Sequence, residues 1–302
     1  MLAQDQQDEQ CSLIALVGPS EDLSDNDWNP SSDIFVMNSD GSHLHPLTET
    51  KYDERYPAWS PDGKYIVFSS NKDRKGDPGY GDYGIPSYSL YIMNSDGSYR
   101  HRLTHFEDSN NDLQPSWSPN GKSIVYYAET REFRWIEKMS SDGQEHHSLY
   151  IGDGFEPSWS PNSEEIIYTK GEYGGSQIYT MDADGSNIRS LTSAKKYNQS
   201  AVFSPDGQWI AFESTRDQSD NYENLPFDIY VMREDGSDVK RLTFDGGFSP
   251  SWSPDGTQIV YDTSKGIAII NRDGSESKII LPSQNYEYSS PVWSPNLCVH
   301  TT

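Results

Sequence analysis

One short segment governs what this chain can fold into, because it returns six times in 302 residues: an aromatic residue, then Ser-Pro-Asp-Gly or a near copy. The copies are Trp59-Ser60-Pro61-Asp62-Gly63, Trp117-Ser118-Pro119-Asn120-Gly121, Trp159-Ser160-Pro161-Asn162, Phe203-Ser204-Pro205-Asp206-Gly207, Trp252-Ser253-Pro254-Asp255-Gly256 and Trp293-Ser294-Pro295-Asn296. A second marker alternates with it, an apolar run ending in Asp-Gly at Gly41, Gly97, Gly143, Gly185, Gly236 and Gly274. The aromatic recurs every 41 to 58 residues, a period that suits a four-stranded blade rather than a helical solenoid unit.

The stretch from Ser200 to Thr243 displays the unit most plainly. Ser200 to Phe203, Trp209 to Glu213, Asp228 to Met232 and Val239 to Thr243 are short runs rich in aromatic and β-branched residues, which is strand chemistry. The Asp-Gly pairs sit where hairpins need positive φ, which glycine adopts at little cost. Four strands in up-and-down order follow. A lone four-stranded sheet cannot bury both faces, so the blades must stack around an axis, with the recurrent Trp wedged between neighbours as a core residue. The expected fold is therefore an all-β, six-bladed propeller of four-stranded antiparallel blades.

These segments resemble the TolB-type, WD40-like propeller repeat, also described as PD40. Its pattern runs through Trp-Ser-Pro-Asp-Gly, a strand such as Ile66-Val67-Phe68-Ser69-Ser70, an Asp-Ile-Tyr-Val-Met strand as at Asp228 to Met232, Asp-Gly-Ser, and a closing Leu-Thr. The last element stands here as Leu47-Thr48, Leu103-Thr104, Leu191-Thr192 and Leu242-Thr243. Two places depart from it: Asn162-Ser163-Glu164 replaces the glycine turn, and Ser148-Leu149-Tyr150 replaces Leu-Thr. The resemblance covers the propeller only, since TolB carries a small α/β domain ahead of it and about eleven residues precede the first strand here. It implies a non-catalytic recognition module that docks partners outside the cytoplasm, in the periplasm or as a secreted protein, with any signal peptide already removed.

The sixth copy stops after its first strand, so the ring is expected to close with Leu13 to Val17, Asp33 to Asn38 and Leu44 to Thr48 supplying the rest of that blade. The boundaries expected are a tail at 1–11, the propeller at 12–297 and a tail at 298–302. The shared blade takes 12–48 with 290–297, and the others take about 55–104, 113–150, 155–192, 199–243 and 248–281. This arrangement puts Cys11 and Cys298 on either side of one turn, and a disulfide between them is the expectation. Such a bridge would require an oxidising compartment.

Net charge is −24, a field that repels phosphate backbones, so nucleic acid is not expected as a partner. No stretch is apolar enough to span a bilayer. A monomer is expected.

In a propeller, the turns after first and third strands lie on one face and the loops after second and fourth strands on the other. The long connections here, 19–32, 71–89 and 217–227, all fall on the second face. They and the fourth-to-first links are rich in Asp, Asn, Gly, Tyr and Trp, residues suited to recognising a protein, a peptide or a glycan. The candidate contacts are Trp28, Asp53, Tyr56, Tyr80, Asp82, Tyr83, Gln114, Glu156, Tyr197, Tyr222 and Tyr286. Tyr56, Gln114 and Glu156, with Ser200, Ser249 and Ser290, stand just before the first-strand cores and should ring the channel mouth; they differ too much for a symmetric metal ring.

No nucleophile elbow, His-Glu-x-x-His or phosphate-binding glycine loop is present, and no catalytic residue is assigned. The pair His146-His147 resembles a chelator, but neighbouring strand residues point to opposite faces. Carboxylate pairs such as Asp53 with Glu54 or Asp25 with Asp27 could take calcium, the only cofactor considered. Two other functions compete with recognition: a carbohydrate lyase or hydrolase working over the channel, and a structural unit of an extracellular array.

Overall fold

A computed structural model describes residues 12–20, 31–72, 87–104, 111–130, 132–172, 174–193, 196–218, 226–283 and 288–295. The blade shared by the two ends of the chain comes first in chain order. That blade, blade 6, holds β1 (Leu13–Pro19), β2 (Ser32–Asn38) and β3 (His45–Pro46). Blade 1 holds β4 (Glu54–Trp59), β5 (Tyr65–Ser70), β6 (Ser89–Asn94) and β7 (His101–Arg102). Blade 2 holds β8 (Asn111–Trp117), β9 (Ser123–Glu129), β10 (Arg134–Ser140) and β11 (His146–Ile151). Blade 3 holds β12 (Gly154–Trp159), β13 (Glu165–Glu172), β14 (Gly175–Asp182) and β15 (Arg189–Ser190). Blade 4 holds β16 (Asn198–Phe203), β17 (Trp209–Ser214), β18 (Asp228–Arg233) and β19 (Lys240–Arg241). Blade 5 holds β20 (Phe248–Trp252), β21 (Gln258–Thr263), β22 (Gly266–Asn271) and β23 (Lys278–Pro282), and β24 (Ser289–Trp293) completes blade 6.

Each blade is a four-stranded antiparallel sheet in sequential order, and the closing sheet runs β24, β1, β2, β3. Ile14 pairs with Trp293 and Ala15 with Val292, so the two ends of the chain close the ring. The first strands β4, β8, β12, β16, β20 and β24 touch in an unbroken circle and line the axis. No helix occurs among the described residues.

The recurrent segments now acquire physical tasks. In Ser60-Pro61-Asp62-Gly63 the Ser60 hydroxyl donates to Asp62 at 2.7 Å and accepts from Tyr65 N at 3.0 Å, which locks the turn into the second strand. Ser163 takes the glycine place in blade 3 with φ of +62°, and its N–H still closes the turn on Ser160 at 2.9 Å. Gly41, at φ +86°, lies so close to blade 5 that a Cβ there would stand 2.0 Å from the Ile280 carbonyl oxygen. A side chain is excluded twice over, by conformation and by space.

The Leu-Thr element controls the length of the outermost strand. The hydroxyls of Thr48, Thr104, Thr192 and Thr243 accept from the backbone N–H groups of Ile34, Leu90, Ile178 and Ile229, at 2.8 to 3.0 Å. A side chain thus replaces the carbonyl that would continue the ladder, and the fourth strand of those blades is two residues long. Blades 2 and 5 lack this Thr, and there β11 and β23 run for six and five residues.

Apolar packing lies between blades. One cluster joins Ala211, Ile229 and Val231 of blade 4 to Trp252, Ile259 and Tyr261 of blade 5. Five equivalent clusters join the other neighbours around the ring. Each blade therefore depends on both of its neighbours for burial.

Candidate functional site

The channel mouth is built by one backbone device used six times. Tyr56, Gln114, Glu156, Ser200, Ser249 and Ser290 all have φ between +49° and +54°. At each, the register between first and second strands slips, so the inner strand bulges toward the axis. L-residues in this region cost about 1–2 kcal/mol each, and packing of neighbouring blades holds them there. Together they line a cavity of about 220 Å³. Tyr56, Gln114 and Glu156 make one half of its rim bulky, and the three serines leave the other half open.

Two carboxylates secure the bulges. Glu156 Oε2 accepts from Ser200 N at 2.7 Å and from the Thr169 hydroxyl at 2.9 Å. Glu213 Oε1 accepts from Ser249 N at 2.7 Å and its Oε2 from Gln199 at 3.0 Å. Burial raises the Glu156 carboxyl, offset in part by the Ser200 and Thr169 hydrogen bonds. Burial, reinforced by the charge of Glu156, pushes Glu213 up to about 8.

Asp53 and Glu54 serve the frame rather than a shared ligand site. The Asp53 carboxylate accepts from Ser32 of blade 6, from the Tyr88 hydroxyl, and from Arg55 at 3.0 Å and 2.6 Å. Glu54 is buried, with the Thr50 hydroxyl at 3.3 Å and Arg100 at 4.0 Å, and burial pushes it up to about 7. The two carboxylates thus have separate sets of partners. Among the described residues, no three His, Cys, Asp or Glu side chains group as metal ligands. His146 is turned to Tyr126 at 3.1 Å and to the Gly143 carbonyl at 3.1 Å.

Tyr197 belongs to a different part of the same face. It is 39% exposed and meets Phe227 edge-on at 6.3 Å, and Phe227 in turn lies 5.9 Å from Phe248, itself 37% exposed. Phe244, 72% exposed, lies under the Arg241 guanidinium at 4.7 Å. Tyr197 precedes a first strand and Phe227 a third, Phe248 opens a first strand and Phe244 follows a fourth, which places all four on the long-loop face. Beside Tyr197 a groove of about 550 Å³ runs past Arg134, Asp153, Phe155, Ser176 and Gln199. Arg134 lies over Phe155 at 5.5 Å and bonds Glu129 at 3.0 Å.

The sequence-derived candidates therefore divide. Tyr56, Gln114 and Glu156 meet at the mouth, Asp53 is spent within the frame, and Tyr197 joins an aromatic strip. Trp28, Tyr80, Asp82, Tyr83, Tyr222 and Tyr286 lie outside the described residues, as do Asp25, Asp27, Cys11 and Cys298. Glu213, Phe227, Phe244 and Phe248 were not among the candidates. An acid ending the otherwise apolar run Trp209 to Phe212 was the available signal for Glu213.

Comparison with known proteins agrees with this geometry. Residues 81–300 match the family model described as the TolB beta propeller domain. The chain is 29% identical over 202 residues to the uncharacterized peptidase YuxL of Bacillus subtilis, a match covering 67% of this chain and 28% of that protein. It is 26% identical to the Tol-Pal system protein TolB of Francisella tularensis, covering 87% of this chain and 59% of the relative. Both relatives extend well beyond what this chain spans. The crystal structure of TolB from Acinetobacter baumannii superposes with a TM-score of 0.73 at 24% identity, over 94% of this chain and 67% of that one, a likeness of fold.

Proposed function

The chain belongs to the TolB beta-propeller domain family, and from that premise we propose that it is a recognition propeller, holding a protein or peptide partner on its long-loop face outside the cytoplasm. The observation that carries this reading is the aromatic strip of exposed Tyr197 and Phe248 joined through half-buried Phe227, which opens onto the groove beside Phe155 on the same face as the channel mouth. Aromatic rings supply a large contact area with few rotatable bonds, and they are the residues on which interface energy concentrates. The mouth adds hydroxyl and carboxylate acceptors that could orient a partner's donors. Periplasmic placement is part of the proposal, by analogy with the Tol-Pal system protein.

The test is capture from an envelope extract of the source organism by the immobilised protein and by the double variant Tyr197→Ala, Phe248→Ala. The variant should keep its melting temperature within a few degrees and lose the proteins that wild type retains. Equal capture by both would remove the strip from the recognition surface.

A further inference from the structure

The groove beside Tyr197 lies where blades 2 and 3 keep their connections on this face tight, 130–133 between β9 and β10 and 173–174 between β13 and β14. Gly171, Gly174 and Gly175 line it without side chains, and the rings of Phe155 and Tyr197 line it with Arg134 and Asp153. Asp153 owes its place to Gly171, because a Cβ there would stand 2.2 Å from the Asp153 Oδ2. The Asp153 side chain is 58% exposed and, among the described residues, accepts no hydrogen bond. Its ion-pair neighbour is Arg134 at 3.8 Å, beyond hydrogen-bond length. Arg134 is itself held elsewhere, by Glu129 Oε2 at 3.0 Å and over the Phe155 ring at 5.5 Å. The lysines nearest in sequence turn away, Lys196 to the Gln218 carbonyl at 3.0 Å and Lys170 to the Tyr179 ring at 5.1 Å. Two carboxylates, Glu129 and Asp153, thus serve one guanidinium.

The wider field acts in the same direction. Net charge is −24, and the connection 217–227, which joins β17 to β18 on this face, carries Asp217, Asp220 and Glu223 with no Lys or Arg. Such a field draws cations in and speeds encounter with a basic partner. An aromatic ring beside an exposed carboxylate holds an ammonium or guanidinium group, through the ring quadrupole and the opposite charge together. The protein displays this arrangement once within itself, in Arg134 over Phe155 against Glu129. Resting on the recognition reading above, we infer that the partner is basic where it meets this face, and that one of its Lys or Arg side chains enters the groove between Asp153 and Tyr197. Tyr197, 39% exposed, supplies the ring. Asp153 supplies the counter-ion.

Amide NMR of the protein titrated with capped tetra-arginine tests the inference, with capped tetra-glutamine as the control. The signals of Gly171, Gly174 and Gly175 should move with the arginine peptide and stay still with the glutamine one. Asp153→Asn should weaken the arginine peptide about fivefold or more. Gly171→Ala keeps the net charge but displaces the Asp153 carboxylate, and it should weaken binding too. Asp245→Asn removes the same charge elsewhere on this face, from a carboxylate that Lys265 meets at 3.2 Å, and should cost about twofold at most. Tyr197→Phe should bind as wild type does, and Tyr197→Ala should lose about three- to fivefold. Phe248→Ala alters the strip outside the groove and should leave the titration unchanged. Equal losses from Asp153→Asn and Asp245→Asn would reduce the effect to the general field and overturn the inference. Glycine signals that ignore the arginine peptide, while wild type still captures envelope proteins, would remove the basic segment and leave the recognition reading standing.

Discussion

The indole N–H of Trp252 donates to the carbonyl of Val202 at 3.2 Å, tying the first strand of blade 5 to the first strand of blade 4. The same ring packs on Ala211, Ile229 and Val231, so it closes a blade junction both by a hydrogen bond and by apolar contact.

Trp252→Ala should therefore cost about 3–5 kcal/mol, a large share of a domain's stability. Trp209 provides the contrast, because it is half-buried, with Arg233 stacked on it at 3.9 Å. Trp209→Ala should lose clearly less, and thermal melting of the two variants will separate them. Equal losses would contradict the division between junction and surface tryptophans.

Gly41 and Gly174 share nearly the same backbone conformation, with φ of +86° and +84°, but an added Cβ meets nothing within 4 Å at Gly174. Gly174→Ala should show only the conformational penalty, about 1–2 kcal/mol. Gly41→Ala must also push blade 6 away from the Ile280 carbonyl, and its loss on denaturation should be visibly larger.

Glu54 predicts a pH effect of definite sign. Its carboxyl is raised from an ordinary 4.5 to about 7 by burial, so the folded state holds a proton that the unfolded chain releases. Stability is then full below about pH 4.5 and declines as pH rises toward about 7, by an amount on the order of 3 kcal/mol. Glu54→Gln should flatten that part of the melting profile between about pH 5 and about pH 8. An unchanged slope would show that Glu54 is ionised in the folded protein.

The proposed bridge between Cys11 and Cys298 remains to be tested chemically. Leu13 N donates to Ser294 Oγ at 2.9 Å, and Ser294 N donates to the Leu13 carbonyl at 2.8 Å. The chain segments that lead to the two cysteines thus leave from one hydrogen-bonded pair. Intact mass under non-reducing conditions should be lower by two hydrogens than after reduction. Ready alkylation of both thiols in the folded, oxidised protein would dismiss the bridge.

The architecture was legible because it is written in local chemistry repeated six times. Trp, Ser-Pro-Asp-Gly and Asp-Gly each specify a wedge or a turn whatever lies around them. The closing blade could be read as well, since Trp293 begins a unit that only Leu13 to Thr48 can finish. The mouth was half legible. Tyr56, Gln114, Glu156 and the three serines could be placed there from their position before the first-strand cores, but the positive φ they share leaves no common side chain to read. Asp53 looked like a rim ligand because its partners are remote in sequence, Ser32 opening β2 and Tyr88 standing just before β6. Phe227 and Phe248 were missed beside Tyr197 for a similar reason: the strip assembles from three separate strand approaches.

Closure through β1 and β24 also sets an order on the ribosome. Leu13 and its partner Ser294 are 281 positions apart, so the first three strands of the shared blade emerge early and wait, one edge open, while five blades are made. At about 5–20 residues per second the wait lasts on the order of tens of seconds. Until β24 arrives, that edge is available to any passing strand, including one from a second nascent copy. The pairing of that β1 edge is thus a property only of the finished chain, and a translation product cut short before Trp293 would carry the exposed edge permanently.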